Sequence, residues 1–331
     1  MYVAALAGVI EGSIVRHEGS ETKLPECQGA KVPMAKCDDR LGSRGHPSSW
    51  SVVRFAVPPV SDFGPTTQTA SRTAIAVIPA RYHSTRLPAK ALADIAGRPM
   101  IEHVYRRAAA ARSVSAVIVA TDDERIVRAV QAFGGDARMT SPSHQSGTDR
   151  IAEVVAGQPC DLVVNVQGDE PLLEPDMIDE AVAAFAVDPL LQMSTLRRRI
   201  LERAERDNPN VTKVVVDRDG YALYFSRAPI PHVRDGCPAA PAWRHVGLYV
   251  YTRECLLRLS RLSPTDLERS EALEQLRALE HGIRIKALET VHDSVGVDTP
   301  EDLERVRRIM TPAGSAGVSI ESFNDAASAR A

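Results

Sequence analysis

The sequence lacks long apolar runs, paired cysteines and a strong net charge. No apolar stretch reaches the ~18 residues that suggest a membrane-spanning helix. The mildly apolar start has no basic residue before Glu11, so neither membrane insertion nor a signal peptide is expected. The five cysteines in 331 residues are an odd number with no Cys-x-x-Cys pair, which favours free thiols in a reducing cytoplasm over a disulfide scaffold or zinc site. A net charge of -3 argues against a nucleic-acid partner and against a membrane-surface footprint.

Aromatic residues are also scarce, at 5% against 44% hydrophobic residues, so the core should consist of Val, Leu, Ile and Ala. Residues 1–72 mix Gly, Pro, Ser and Thr with scattered charges and show no sustained apolar period. This composition predicts a mostly disordered extension or a mis-assigned start site. Residues 312–331 are similar and predict a flexible tail. A single domain over residues 73–311 remains.

Apolar and amphipathic segments alternate along the first half of this domain. Strands are predicted over Ala74–Ile78, Ala116–Ala120 and Leu162–Gln167, and helices over Met100–Ala111, Asp123–Phe133, Asp149–Val155 and Pro175–Val187. The alternation indicates an α/β fold with a doubly wound, mostly parallel sheet and helices on both faces.

The second half is richer in β-structure. Val214–Val216 and Ala222–Ser226 flank the turn-rich Asp217–Gly220 and predict a hairpin, and Val246–Tyr251 predicts a further strand. We therefore expect a mixed sheet with a small β-rich subdomain at about 210–252. A helix over Asp266–Glu280 and another beginning at Pro300 complete the domain.

A cationic loop follows the first predicted strand. Arg81, Arg86 and Lys90 lie within ten residues of each other, directly after an apolar, β-branched run. A buried strand that opens into a basic loop is a common way to hold a polyphosphate, because Arg offers planar forks and Lys a compact charge. Neither the P-loop nor the dinucleotide glycine motif is present. The pattern alone equally suits a solvated loop.

Two carboxylates follow other apolar stretches. Asp169 comes after the strand at Leu162, and Asp298 after Val295-Gly-Val. At the carboxyl ends of parallel strands, such side chains would face the cationic loop and suit a Mg²⁺–nucleotide site. Each also has a structural alternative: Asp298 precedes the helix-start pattern Thr299-Pro300, and Asp169 lies in the turn-like GDEP.

Seven ordered blocks resemble one known family. They are PARYHSTRLPAK, HQSGTDRIAE, VNVQGDEP, NPN followed by KVVVDRDGYALYFSRAPIP, RHVGLYVY, LEQLRALEHG and GVDTPEDLERV, and they extend from about Ala74 to about Met310. This order is similar to that of the 3-deoxy-manno-octulosonate cytidylyltransferases, or CMP-Kdo synthetases. The resemblance implies a Rossmann-like nucleotidyltransferase fold and transfer of CMP from CTP to Kdo for lipopolysaccharide synthesis. Ala89 stands where many members have Gly, so slightly different loop dihedrals are expected.

The resemblance implies a role for each nucleotide-site residue. Arg81, Arg86 and Lys90 would hold the triphosphate of CTP, and Asp169 and Asp298 would bind Mg²⁺. Arg81, Lys90, Asp169 and Asp298 form the implied catalytic set. The remaining CTP-binding residues would be Ser146 and Gly147, which belong to the implied cytosine-recognition loop His144–Asp149, together with Gln167 and Asp169. Arg150 either lies near the phosphates or is a surface helix residue.

The implied sugar site lies in the second half of the domain. Arg227, His245, Gln275 and Glu274 match the family's positions for binding the acidic sugar. From the residues alone, His245 beside a β-run is more often a packed histidine, and Glu274 and Gln275 lie off the leucine stripe of their predicted helix, on a solvated face. The family further implies a homodimer, formed through the β-rich segment.

Two other functions remain open from the sequence. One is a cytidylyltransferase for a different acidic sugar, such as a sialic acid. The other is a non-catalytic nucleotide-binding protein. The blocks RHVGLYVY and LEQLRALEHG favour Kdo, and the intact Arg81, Lys90, Asp169 and Asp298 favour an enzyme.

Overall fold

The computed structural model describes residues 72–83, 86–238 and 240–311. The predicted disordered extension, apart from residue 72, and the predicted tail after residue 311 lie outside the described residues. No helix in the described part of the chain is long and apolar enough to cross a membrane.

Strands and helices alternate through the described residues. The strands are β1 Ala74–Ala80, β2 Asp94–Ile95, β3 Arg98–Pro99, β4 Val114–Thr121, β5 Asp136–Met139, β6 Leu162–Asn165, β7 Met193–Arg199, β8 Lys213–Val216, β9 Ala222–Ser226, β10 Trp243–Thr252 and β11 Ile285–Glu289. The α-helices are α1 Met100–Ala109, α2 Glu124–Ala132, α3 Gly147–Ala156, α4 Pro175–Val187, α5 Arg203–Asp207, α6 Arg253–Leu259, α7 Asp266–Glu271, α8 Gln275–Glu280 and α9 Pro300–Met310. A short 3-10 helix covers Lys90–Leu92.

The main sheet has the strand order β11-β7-β10-β6-β1-β4-β5. β10 is antiparallel to both of its neighbours, and all other adjacent pairs along this path are parallel. The β8–β9 hairpin pairs with β10 through Val214 and Trp243, so the predicted β-rich segment is continuous with the main sheet. The predicted mixed, mostly parallel α/β sheet is confirmed.

The side chains of β1 alternate between two cores, as the two-residue period of a strand requires. Ala76 and Ile78 pack into the core that includes the buried residues of α1, α2 and α4. Ile75 and Val77 pack into the core that includes those of α3, α6 and α8. All of these β1 side chains are buried, which explains the continuous apolar run in the sequence.

A third, smaller core anchors the end of the domain. Val297 packs with Leu303 and Val306 of α9 and with Ile95 and Met100. Thr299 caps α9 and forms a reciprocal capping box with Asp302, as the sequence predicts. The chain is thereby brought back beside the carboxyl end of β6.

The predicted helix over Asp266–Glu280 is wrong in one respect. It breaks into α7 and α8 at Ala272, whose φ of 51° is left-handed. The sequence has no Gly or Pro there, and the break coincides with tertiary contacts: the Arg227 guanidinium donates hydrogen bonds to the carbonyls of Glu271 and Ala272.

Candidate active site

A cavity of about 460 Å³ opens at the carboxyl ends of β1 and β6. It brings together the three predicted cations, both predicted carboxylates and two further predicted nucleotide-site residues. These seven lining residues are Arg81, Arg86, Lys90, Gly147, Gln167, Asp169 and Asp298. The position agrees with the general rule that ligands of open α/β sheets bind at this edge.

Close backbone packing fixes the floor of the cavity. A Cβ atom on Gly168 would lie 2.8 Å from the carbonyl oxygen of Pro79, at the end of β1. Only glycine permits this approach of two backbone segments. The segment after β6 is therefore held against β1, and this contact places Asp169 beside the cationic loop.

Asp169 and Asp298 are joined through the backbone and through a shared cation. The amide of Val297 donates to the Asp169 carbonyl oxygen at 2.8 Å, which aligns the two segments. Lys90 Nζ lies 2.6 Å from Asp169 Oδ2 and 3.2 Å from Asp298 Oδ1. Arg86 Nη2 lies 3.2 Å from the same Asp298 oxygen. The cationic loop and the carboxylates thus face each other directly.

Lys90 remains an ammonium group in this position. Burial alone would lower its pKa, but the charges and hydrogen bonds of Asp169 and Asp298 outweigh burial and raise the pKa above its ordinary value. Only 17% of the Lys90 side chain is exposed, so the charge is held inside the cavity.

Arg81 connects the cationic loop to the predicted cytosine-recognition loop. Its Nη2 donates to the carbonyl oxygen of Gln145 at 2.7 Å. The following residue, Ser146, is the N-cap of α3 and forms a capping box with Asp149. The first turn of this ten-residue helix therefore reaches the cavity at Gly147, with the positive end of the helix dipole.

Gln167 is oriented by two hydrogen bonds. Its Nε2 donates to Asn165 Oδ1 and to the carbonyl oxygen of Gly247, both at 3.2 Å. Because Gln167 lines the cavity and Gly247 belongs to β10, this amide joins the predicted nucleotide site to the strand that carries His245.

Arg150 is not a surface helix residue. Its side chain is fully buried and does not line the cavity. The guanidinium is 2.8 Å from Asp122 Oδ2 and donates to Thr140 Oγ1 at 2.5 Å. Asp122 follows β4 and Thr140 follows β5, so Arg150 ties α3 to the ends of both strands.

Comparisons with known proteins identify the family of this chain. A family model described as Cytidylyltransferase matches residues 75–285. The 3-deoxy-manno-octulosonate cytidylyltransferase of Geobacter sulfurreducens is 55% identical over 241 residues, which are 70% of this chain and 96% of the relative. The enzyme of the same name from Geotalea uraniireducens is 57% identical over 241 residues, with 70% and 96% covered. This chain belongs to the 3-deoxy-manno-octulosonate cytidylyltransferase family.

A solved structure extends the comparison to three dimensions. It is a CMP:2-keto-3-deoxy-manno-octonic acid synthetase complexed with CTP, with a TM-score of 0.69 and 47% identity. The match covers 72% of this chain and 98% of the solved chain. The α/β cytidylyltransferase fold is therefore shared along almost the whole length of that relative.

His245, which the family resemblance assigns to the sugar site, is buried and neutral. Burial, with a smaller effect of Arg244, lowers its pKa to about 3. Its Nε2 is 3.0 Å from Thr195 Oγ1, and its ring lies edge-on to Phe225 at 4.9 Å. His245 is thus a packed histidine that can offer a neutral hydrogen bond but no positive charge.

Arg227 lies at the junction of α7 and α8. Its Nε donates to the Glu271 carbonyl oxygen at 2.8 Å, and its two terminal nitrogens donate to the carbonyls of Pro209 and Ala272 at 3.3 and 3.4 Å. These bonds leave one N–H on each terminal nitrogen for another acceptor. Arg227 therefore has a structural role at the helix break, whatever it binds.

Glu274 and Gln275 do not lie on a solvated face. Gln275 is only 6% exposed. One Glu274 oxygen accepts a hydrogen bond of 2.6 Å from Thr148 Oγ1, and the other is buried without a partner among the described residues. Burial raises the pKa of Glu274, although the Thr148 bond opposes this effect. None of the four predicted sugar residues lines the 460 Å³ cavity.

Two residues near the site are absent from the sequence-based predictions. The ring of Tyr249 lies 5.3 Å from that of His245, and burial, with the charge of Glu274, raises its pKa well above the ordinary value. Its spacing from His245 along a strand is the sequence signal that could have identified it. The second residue is Glu170, whose pKa is raised to about 7 by burial and by the charge of Asp169. No pattern in the sequence identifies it.

Proposed function

We propose that this chain transfers CMP from CTP to the anomeric hydroxyl of 3-deoxy-D-manno-octulosonate (Kdo) and releases pyrophosphate. The product, CMP-Kdo, would serve lipopolysaccharide synthesis in the cytoplasm. The observation that carries the proposal is the set of three cations facing two carboxylates in one cavity, in a chain that matches 96% of the length of a curated enzyme of this name.

The triphosphate is the ligand that best suits the cations of the cavity. Arg81 and Arg86 are exposed and present planar guanidinium forks, and Lys90 adds a localised charge. Together they would bind the phosphate oxygens and stabilise the charge that grows on the leaving pyrophosphate. The N-terminus of α3 lies at the same cavity, where Ser146 and Gly147 would approach the cytosine.

The reaction needs no nucleophile from the protein. The sugar hydroxyl oxygen forms a bond to the α-phosphorus, the bond between that phosphorus and the bridging oxygen of pyrophosphate breaks, and the hydroxyl proton passes to solvent water. The chain's residues hold both substrates in line and supply charge, which are the main sources of rate in phosphoryl transfer.

Asp169 and Asp298 fit a divalent metal. Both carboxylates converge on one cation, the Lys90 ammonium, and they offer the hard oxygen ligands that Mg²⁺ prefers. The described residues contain no cluster of three or more His, Cys, Asp or Glu that could enclose a metal. Two carboxylates suit Mg²⁺ because it usually keeps several waters and binds substrate phosphates. When bound, Mg²⁺ supplies a Lewis acid for the α-phosphate and the attacking hydroxyl.

The sugar would bind on the β10 side of Gln167. Arg227 would offer its remaining N–H groups to the sugar carboxylate, His245 a neutral hydrogen bond, and Glu274 and Gln275 contacts to hydroxyls. The unpartnered Glu274 oxygen supports a polar ligand there, because a buried acceptor is usually satisfied.

We propose a homodimer, formed through the β-rich segment. In that segment Leu223 of β9 is 63% exposed, an apolar side chain that a partner could cover. Light scattering on the wild-type protein and a Leu223→Glu variant would test this, with a monomeric wild type contradicting it.

The decisive experiment is a pyrophosphate-release assay with CTP, Kdo and Mg²⁺. Release should require all three components and should fall strongly when UTP replaces CTP. N-acetylneuraminate in place of Kdo tests a different acidic sugar. Release with that sugar alone would reassign the substrate, and no release with either sugar would favour a non-catalytic nucleotide-binding protein.

A further inference from the structure

Lys90 occupies the place between the two carboxylates where the proposed metal would bind. Its Nζ is 2.6 Å from Asp169 and 3.2 Å from Asp298, and its side chain is only 17% exposed. The same residue is one of three cations that the proposed function assigns to the triphosphate. The Lys90 ammonium group and a metal ion cannot both lie between the two carboxylates, because two cations would then occupy the same position.

We propose that Lys90 is a resident counter-ion, which holds Asp169 and Asp298 together in the metal-free enzyme and is displaced when a divalent cation binds. Displacement frees the ammonium for the triphosphate, so metal binding and triphosphate binding are coupled through one side chain. This inference rests on the proposed function, because it takes the two carboxylates as metal ligands and Lys90 as a triphosphate ligand.

Charge balance supports the exchange. In the ligand-free site, the cations Lys90 and Arg86 neutralise the anions Asp169 and Asp298. A divalent cation between the carboxylates supplies the same two positive charges. Lys90 and Arg86 then have no anionic partner among these residues, and the arriving triphosphate provides one. By thermodynamic linkage, if metal binding raises the affinity for the triphosphate through Lys90, triphosphate binding raises the affinity for the metal by the same factor.

The first test measures Mn²⁺ binding in the absence of nucleotide. The electron paramagnetic resonance signal of the free ion reports how much Mn²⁺ remains unbound. Lys90→Met keeps an unbranched side chain of nearly the same length and removes the charge. Its Mn²⁺ affinity should exceed that of the wild type by about 5- to 150-fold, the usual range of coupling between sites. Lys286→Met is the matched control, because Lys286 interacts with Asp219 and Tyr221 and does not line the cavity. It should bind Mn²⁺ like the wild type.

The second test is a double-mutant cycle on CTP binding in excess chelator, measured by calorimetry. Asp298→Asn removes one partner of Lys90 and should strengthen metal-free CTP binding in the wild-type background. In the Lys90→Met background the gain should be clearly smaller, because no ammonium is released. Thermal unfolding checks that each variant is folded.

The outcomes separate this inference from the proposed function. If the wild type binds Mn²⁺ and Lys90→Met binds it equally or more weakly, the counter-ion role is overturned and the metal site stands. Equal gains from Asp298→Asn in both backgrounds would overturn it too. If no variant binds Mn²⁺ even with CTP present, the metal assignment fails and this inference fails with it. Pyrophosphate release by the wild type reports on the proposed function independently of all these results.

Discussion

Ala89 occupies a backbone conformation that suits glycine better. Its φ of 55° and ψ of 29° are left-handed, and it caps the short 3-10 helix that begins at Lys90. A left-handed residue other than glycine costs about 1–2 kcal/mol, because Cβ approaches the following carbonyl. Ala89 therefore adopts a conformation typical of glycine and carries this strain.

Ala89→Gly should relieve this strain at a smaller opposing cost. Glycine adds conformational entropy to the unfolded chain, which costs about 0.4–1 kcal/mol. Full burial of such a carbon group contributes about 0.8 kcal/mol, and the Ala89 methyl group is only half-buried, so its loss costs a fraction of that value. The net change for the single variant is therefore small, between about zero and 1 kcal/mol of stabilisation.

A comparison with Ala93→Gly isolates the strain. Ala93 is also half-buried but has a φ of -59°, which any residue adopts. Both variants lose the same methyl group and gain the same unfolded-state entropy, so these contributions cancel. Ala89→Gly should exceed Ala93→Gly in unfolding free energy by about 1–2 kcal/mol, the left-handed cost alone. Urea unfolding measures both. Equal destabilisation by the two variants would refute the strain at Ala89.

Four further outcomes follow from the site. Asp169→Asn and Asp298→Asn should each leave a folded protein whose turnover is lower by about 10²–10³-fold, because each substitution removes a carboxylate charge proposed to bind the metal at the transition state. Pyrophosphate release at saturating Mg²⁺ measures this loss. Because the pKa of His245 is lowered to about 3 in the folded protein, the unfolded state takes up its proton first as the pH falls below about 6.5. Stability should therefore fall by about 2 kcal/mol between pH 7 and 5, and His245→Gln should lack this component in urea unfolding at the two pH values. Arg227→Ala should raise the KM for Kdo by about one to two decades and the KM for CTP much less, in kinetics with each substrate varied. Arg150→Met should lower the unfolding free energy by about 3 kcal/mol, because it leaves Asp122 without its ion pair; thermal or urea unfolding would show it.

The arrangement of the cations and of Asp169 could be predicted from the sequence because its parts are local. Arg81, Arg86 and Lys90 follow one apolar strand, and the strand-end rule for parallel sheets brings Asp169 to the same edge. Asp298 reaches that edge in a different way from the prediction: residues 292–298 form no strand, and the backbone hydrogen bond from Val297 to Asp169 holds this segment in place. The continuous apolar run of β1 and the helix-start pattern at Thr299 predicted the elements that begin these segments. Each of these signals lies within a few residues of the side chain that it places.

The β10 side could be predicted far less well, because its geometry depends on distant contacts. The break at Ala272 coincides with hydrogen bonds from Arg227, which is 45 residues away in the chain. It turns Glu274 and Gln275 inward, where helical periodicity had placed them on a solvated face. The neutral state of His245 follows from burial against Phe225 and Thr195, which no local pattern reports.

The strength of the internal ion pairs would allow one cavity to bind both the proposed triphosphate and the proposed Mg²⁺. Arg86 and Asp298 are 65% and 51% exposed, and a pair so open to water contributes only about 0–1 kcal/mol, so the arriving triphosphate displaces it at little cost. Lys90 and Asp169, at 17% and 32%, are less screened by water. If Asp169 were absent, Lys90 would keep only the longer and more exposed contact with Asp298; if Lys90 were absent, the two carboxylates would repel each other. A site that binds both an anionic and a cationic ligand is therefore most stable, before either ligand binds, when its own cations and carboxylates are paired with one another.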